Sequence, residues 1–378
     1  MDYIKVKELF KITKGKKVEE INYKNENTIR YIQIDDLRNN NNIKYCENID
    51  KYVIANKQDI IIAWDGANAG TIGFGIEGAI GSTLAIMRKE NKEMDTEFCG
   101  LFLRNKSDYL REKCTGATIP HIQRSVLEDI KIPKISLDRQ IEIKNIINKS
   151  QELIDKRKEQ IEALDELVKS QFIEMFGDPI TNPKGWNTCE LREGIKEIKY
   201  GTSTPPVFSE EGIPFVRATN IKAGRIIEND MKYISEEEAK KIEKCKLVLG
   251  DTIIVRSGAN TGDNAFVSEE YVGAYGGYDI IVKLNEKINY IFLNAILNSV
   301  YRNIIIQPLT RRAGQPHLNS EQIQSLVIFM PPIELQNQFA DFVKQTDKLK
   351  FEMEKSLKEL EDNFNSLMQK SFKEELFN

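Results

Sequence analysis

The chain has 378 residues, 40% hydrophobic and 30% charged, with a formal net charge of −4. That balance fits a globular protein with two or three cores, and the net charge alone does not advertise nucleic-acid binding, so a DNA binder of this composition must segregate its charge. No apolar run is long enough to span a bilayer, the start MDYIKVKELFKITKGKK lacks the apolar stretch of a secretory signal, and five scattered cysteines (Cys46, Cys99, Cys114, Cys189, Cys245) form no C-x-x-C pair, which points to reduced thiols in the cytoplasm rather than a disulfide framework or a zinc site.

In chain order, residues 1–135 predict a first globular part of mixed α/β or α+β class. Short strands rich in Ile and Val, such as Ile60-Ile61-Ile62-Ala63, alternate with Gly/Asn/Asp turns, and a helix is expected near 95–113. A proline after the apolar strand Asp129–Ile132 closes this part. Residues 136–176 predict one long helix, stopped by Gly177-Asp178-Pro179, and residues 177–186 a turn-rich linker. A second globular part follows over 187–332, with a helix near 289–306, and a second long helix over 333–378.

The second half echoes the first about 190 residues later, a period far longer than that of a solenoid unit. Residues 59–70 read DIIIAWDGANAG and residues 251–262 read DTIIVRSGANTG. Gly78-Ala79-Ile80-Gly81 is matched with Gly273-Ala274-Tyr275-Gly276, and Tyr31-Ile32-Gln33-Ile34 with Phe215-Val216-Arg217-Ala218. The only two histidines both follow proline, in Ile119-Pro120-His121-Ile122 and Gln315-Pro316-His317-Leu318. Each is followed by a short apolar strand, proline and a helical stretch, so the chain reads globular–helix–globular–helix.

The first long helix carries Ile147, Ile154, Ile161, Val168 and Met175 at a strict seven-residue spacing, with Leu164 three after Ile161. The second carries Phe339, Thr346, Met353, Leu360 and Leu367, with Phe342 and Leu349 three after the first two. Sustained heptads predict a coiled coil, and a helix this polar needs a partner. The nearest partner is the other helix of the same chain. An antiparallel pair of helices of roughly 55 Å would give a pseudo-two-fold arrangement with the two globular parts at opposite ends. The plainer alternative is that each helix packs only on its own globular part.

The run LDELVKSQFIEMFGDP at 164–179, followed by TNPKGW at 181–186, resembles the junction between the halves of type I restriction–modification specificity subunits. So do the two Pro-His turns and the strand–Pro–Leu-x-x-Gln stretches at Pro133–Gln140 and Pro331–Gln338. The resemblance covers essentially the whole chain. It implies that each globular part is a target-recognition domain for one half of a bipartite double-stranded DNA target, and that an antiparallel coiled coil fixes the half-site spacing. It also implies docking of two adenine-methylating modification subunits on the helical regions, with restriction subunits as further partners. S-adenosylmethionine, Mg2+ and ATP are then expected only on those partners. The chain itself shows no Gly-x-x-x-x-Gly-Lys-Ser/Thr loop and no Asn/Asp-Pro-Pro-aromatic signature, as expected of a non-catalytic reader that delegates its chemistry.

Base reading needs side chains on loops, with Lys and Arg nearby for phosphates. The first part offers Lys16, Lys17, Trp64, Asn68, His121 and Arg124, besides the exposed-looking run 39–42. The second offers Thr202, Arg217, Asn220, Arg256, Asn260, Arg311, Arg312, Gln315 and His317. Arg256 and Asn260 suit direct readout, because Arg pairs with guanine and Asn with adenine; Arg311 and Arg312 suit a phosphate clamp. Each has a structural alternative. Gly-Ala-Asn-x-Gly is also what a turn with positive φ requires, Pro-His is also a structural turn, and Trp64 serves equally as core or as a stacking platform. The competing functions are a self-contained nuclease or methyltransferase, for which no metal or cofactor motif is found, and a non-DNA adaptor with two peptide-binding domains on a coiled-coil rod.

Overall fold

Ile60, Ile61 and Ile62 are all fully buried, yet they face two different cores: Ile60 and Ile62 pack with Phe98 and Phe102, whereas Ile61 and Ala63 pack with Ile32, Ile80 and Leu84. A strand alternates its side chains, so a continuous apolar run is the pattern of a strand covered on both faces. In the computed structural model, which describes residues 2–90, 93–116, 118–310 and 316–372, this strand lies inside an antiparallel sheet. Its order is Phe10–Lys14, Leu84–Lys89, Ile60–Ala63, Ile72–Phe74. A second sheet runs Lys44–Glu47, Thr28–Ile32, Gly78–Ile80, Ile54–Ala55, with Thr28–Ile32 parallel to Gly78–Ile80.

The second half builds a corresponding pair of sheets. One is ordered Ile195–Tyr200, Ile280–Leu284, Thr252–Ile254, Asn264–Phe266, and the other Phe208–Ser209, Lys232–Ile234, Ile213–Val216, Tyr275–Gly276, with the last two strands parallel. The repeat therefore extends to the strand order and sense of the first sheet and of three strands of the second, whose fourth strand lies at opposite edges: Ile54–Ala55 beside Gly78–Ile80, but Phe208–Ser209 beside Lys232–Ile234. Its register differs from the sequence reading at one place. Gly81 N–H donates to the Ile32 carbonyl, and its counterpart donating to Val216 is Gly277. The glycine pair is thus Gly81 with Gly277, one residue beyond the expected match to Gly276, because the parallel strands and not the local Gly-Ala string set the alignment.

The helices expected near 95–113 and 289–306 are each interrupted. The first is Thr96–Arg104 followed by Ser107–Glu112; the second is Tyr290–Leu297, then a π-helical segment Arg302–Ile306. Asp95 and Asn289 cap the two leading helices by accepting N–H bonds from Phe98 and Ile291. Each cap is held by a buried glutamine at the root of a long helix. Gln140 Oε1 accepts the Asp95 N–H at 2.6 Å, and Gln336 Oε1 accepts that of Asn289 at 2.9 Å. The equivalent residue is Gln336 rather than Gln338, which is exposed. The Leu-x-x-Gln spacing was displaced by two residues because the partner is chosen by the cap, not by the preceding leucine.

The long helices are Leu137–Phe176 and Ile333–Phe372. Two compact units divide the chain, residues 1–158 with 355–378 and residues 159–354, so each unit contains one half of each helix. In the first unit Ile143 and Ile147 share a core with Met368 and Phe372, and Lys158 pairs with Glu361 at 2.9 Å. In the second, Phe172 and Phe176 share a core with Phe339, Ala340 and Val343, and Lys350 pairs with Asp165 at 2.6 Å. Early residues of one helix thus meet late residues of the other in both units, and the pairing is antiparallel. Ile147 is buried against Met368 and Phe372 and Ile154 is also buried, while Ile161, Val168, Met353, Leu360 and Leu367 are half-buried. Of two residues expected on the seam three apart, Thr346 is buried, its hydroxyl donating to the Phe342 carbonyl, whereas Leu349 is 48% exposed and lies off it.

Candidate nucleic-acid interface

In both units the Gly-Ala-Asn-x-Gly loop leaves the central strand and turns back into the next one. Gly66 and Gly70, like Gly258 and Gly262, adopt φ between 90° and 98°, so the glycines meet a backbone requirement. The asparagine carbonyl closes each turn, accepting from Thr71 in one and Asp263 in the other. This leaves the asparagine amides to act outward. Asn68 Oδ1 accepts from Arg38 Nη2 at 2.7 Å, and Asn260 Nδ2 donates to the Ala218 carbonyl at 3.4 Å. Both side chains are half-buried.

The Pro-His turns sit beside these loops. His121 bridges Asp65 and Thr115, and its Nε2 lies 2.8 Å from the Thr115 hydroxyl. His317 bridges Ser257. Both histidines therefore tie the loop after the helix to the Gly-Ala-Asn loop. Arg124 is exposed and bound to Glu128 one helical turn on, at 2.7 Å.

A third loop joins each cluster. Gly15 N–H donates to the Leu84 carbonyl at 2.8 Å, and Gly201 N–H to that of Asp279 at 2.9 Å. A Cβ on either glycine would collide with the carbonyl oxygen of Gly81 or Gly277. These glycines let two backbones touch and place exposed Lys16 and Lys17 in the first unit, and Thr202 in the second, at the same corner. Thr202 Oγ1 donates to the Thr204 carbonyl, shaping its own turn.

The two corners differ in chemistry. In the first, Trp64 is partly buried against the core, and Lys14 pairs with Asp65 at 2.7 Å. In the second, Arg256 takes the position of Trp64, its guanidinium carbon 4.5 Å from the Tyr200 ring centre and 4.3 Å from that of Tyr278. The Arg256 N–H donates to Asp279 Oδ1 at 3.2 Å. Burial pushes the Asp279 carboxyl up to about 6, against the opposing pull of the Arg256 N–H and charge. Burial alone would raise the Tyr200 phenol as well, but hydrogen bonds with Ser320 and the Arg256 cation outweigh it and lower it.

Two sequence candidates turn inward. Asn220 is fully buried, its Oδ1 accepting the Arg217 N–H and its amide donating to the Ile227 and Asn229 carbonyls. It holds its loop and presents nothing to a groove. Arg217 is half-buried and paired with Asp230 at 2.9 Å. Arg311, Arg312 and Gln315 lie outside the described residues. Sequence reasoning missed Arg38, Tyr200 and Tyr278; pairing Gly15 with Gly201 would have drawn attention to Tyr200.

Two similar two-sheet units, each gathering three loops at one corner and each completed by halves of the same two helices, define a tandem-repeat protein. The profile of the type I restriction modification DNA specificity domain matches residues 1–163 and again 183–362. The chain belongs to that family. It is 26% identical over 371 residues to the type I restriction enzyme MjaVIII specificity subunit of Methanocaldococcus jannaschii, covering 92% of this chain and 86% of that one. It is 22% identical over 414 residues to the EcoKI specificity subunit of Escherichia coli, covering 94% and 86%. The fold is shared with the S subunit of a type I restriction–modification system from M. genitalium, at a TM-score of 0.60 and 18% identity over 98% of this chain and 96% of that one. A chain from a structure of type I complex assembly and conformational transition is similar at a TM-score of 0.61 and 16% identity, covering 99% and 98%.

Proposed function

We propose that this chain is the sequence-reading subunit of a type I restriction–modification complex, each unit reading one half of a bipartite duplex target. The observation that carries this reading is the repeated corner: three loops brought together at equivalent ends of equivalent sheets, with different side chains on the same backbone. That is what two readers of two different half-sites require. A peptide-binding adaptor has no comparable support in the fold or among the relatives.

The chain acts without catalysis of its own in the cytoplasm. S-adenosylmethionine, Mg2+ and ATP belong to its partners, and the paired helices offer the surface on which two methyltransferase subunits, and restriction subunits where present, assemble. Methylation sequencing of the source genome with and without this gene tests the reading: one bipartite adenine-methylation motif should vanish on deletion. The purified chain alone, given S-adenosylmethionine and DNA, should transfer no methyl group. Transfer by the isolated chain, or an unchanged methylation pattern on deletion, overturns the proposal.

A further inference from the structure

The geometry points to Arg256 as a preset fork that reads one guanine in the half-site belonging to the second unit, an assignment that rests on the DNA-reading function above. Among the described arginines of that unit, Arg192, Arg217, Arg225 and Arg302 each have a carboxylate partner. Arg256 has none among the described residues, and its Nε is buried without an acceptor. Arg30 and Arg217 also bury an unpaired Nε, but each has a carboxylate on the rest of its guanidinium. Donors left unpaired in a buried position cost stability, so an arginine with neither an Nε acceptor nor a carboxylate calls for an explanation.

The side chain is nonetheless fixed. Its guanidinium rests against Tyr200 and Tyr278. Tyr200 is itself held by Ser320, whose N–H donates to the phenol oxygen at 3.0 Å. The Arg256 main chain is pinned at both ends, its N–H by Asp279 and its carbonyl by the Leu318 N–H at 2.8 Å. Both tyrosines remain well exposed, so the cage opens to solvent. Stacking on aromatic rings engages the guanidinium faces and leaves its in-plane N–H edge for acceptors. Guanine O6 and N7 offer two acceptors side by side in the major groove, the geometry a held guanidinium edge matches. A phosphate contact needs charge but no fixed plane. The first unit carries Trp64 here, beside the Lys14–Asp65 ion pair, and has no such fork, so this guanine contact belongs to one half-site only.

The test uses the full chain assembled with its methyltransferase subunits. The wild-type motif is read by methylation sequencing, and binding is then measured on duplexes carrying every single base-pair change. Arg256→Ala and Arg256→Lys should each lose discrimination at one G·C pair of one half-site, on the order of 10- to 100-fold, while all other positions keep theirs. Tyr278→Leu, with the arginine retained, should lose part of the same discrimination. Arg256→Lys keeps the charge, and thermal unfolding verifies its fold, so it decides the matter if Arg256→Ala fails to fold. A uniform loss across the panel with a shallower salt dependence would identify a phosphate contact and overturn the inference. Unchanged discrimination at every pair would also overturn it while leaving the subunit reading intact. A wild-type complex with no sequence preference at all would remove both.

Discussion

A methyl group on Gly201 would sit inside the radius of the Gly277 carbonyl oxygen, and on Gly15 inside that of Gly81. Neither obstacle is a movable side-chain tip, so Gly201→Ala must spread two backbones. We expect it to destabilise the second unit by at least about 2 kcal/mol, measured by urea unfolding, and to disturb the Tyr200 corner with it. Asp279 answers to pH instead. Its folded value of about 6 lies above the ordinary carboxylate value because burial disfavours the charge. The native state therefore holds the proton more tightly, and the stabilisation is fully present below about pH 4 and lost as pH rises through about 6. The neutral Asp279→Asn can keep the bond to the Arg256 N–H without ionising. It should match the wild type near pH 4 and exceed it above pH 7 by up to about 3 kcal/mol, read from denaturant titrations across that window. A pH-independent difference would mean that the carboxyl is not the titrating group.

Between elements, the long helices separate neighbouring leucines and isoleucines by orientation alone. Ile154 is 3% exposed and the adjacent Leu153 is 48% exposed. Ile154→Asp buries a charge with no partner and should cost at least about 3 kcal/mol, lowering the unfolding temperature of the first unit. Leu153→Asp should stay within about 0.5 kcal/mol of wild type. Equal effects from the two variants would contradict the seam. The heptad spacing brought Ile147 against Met368 and Phe372 and put Ile154 at a buried position, because a seven-residue repeat brings the same helix face back every two turns. It placed Thr346 inward but misplaced Leu349, because the inward face continues four residues on at Lys350, whose side chain is 14% exposed and paired with Asp165 of the other helix, rather than three residues on.

For the whole molecule, the last residues of each long helix finish a core that the helix did not start from. Phe176, following the first globular part, packs on Phe292 and Phe329 of the second unit. Phe372, following the second, packs on Phe98 and Phe102 of the first. Phe176→Ala should therefore weaken the second unit and Phe372→Ala the first, each by about 3–5 kcal/mol. Hydrogen exchange resolved along the chain distinguishes the two: protection should fall around 290–297 in one variant and around 96–104 in the other. Loss of protection in the globular part adjoining the mutated helix end in sequence, rather than the one it packs on, would refute the exchange.

The repeat, the two-domain plan, the long paired helices and the Gly-Ala-Asn loops were legible in the sequence. They depend on local chemistry, namely apolar period, proline stops and glycines that must take positive φ, and each leaves its mark within a few residues. Which loop residues face outward was not legible. Asn220 and Arg256 are both polar residues in loops, but one is spent on its own backbone and the other held between two tyrosines from distant segments. Burial and aromatic contact are sums over residues remote in the chain. Whether a loop side chain is spent on its own backbone, as in Asn220, or held against aromatic rings, as in Arg256, was therefore decided only by the tertiary structure.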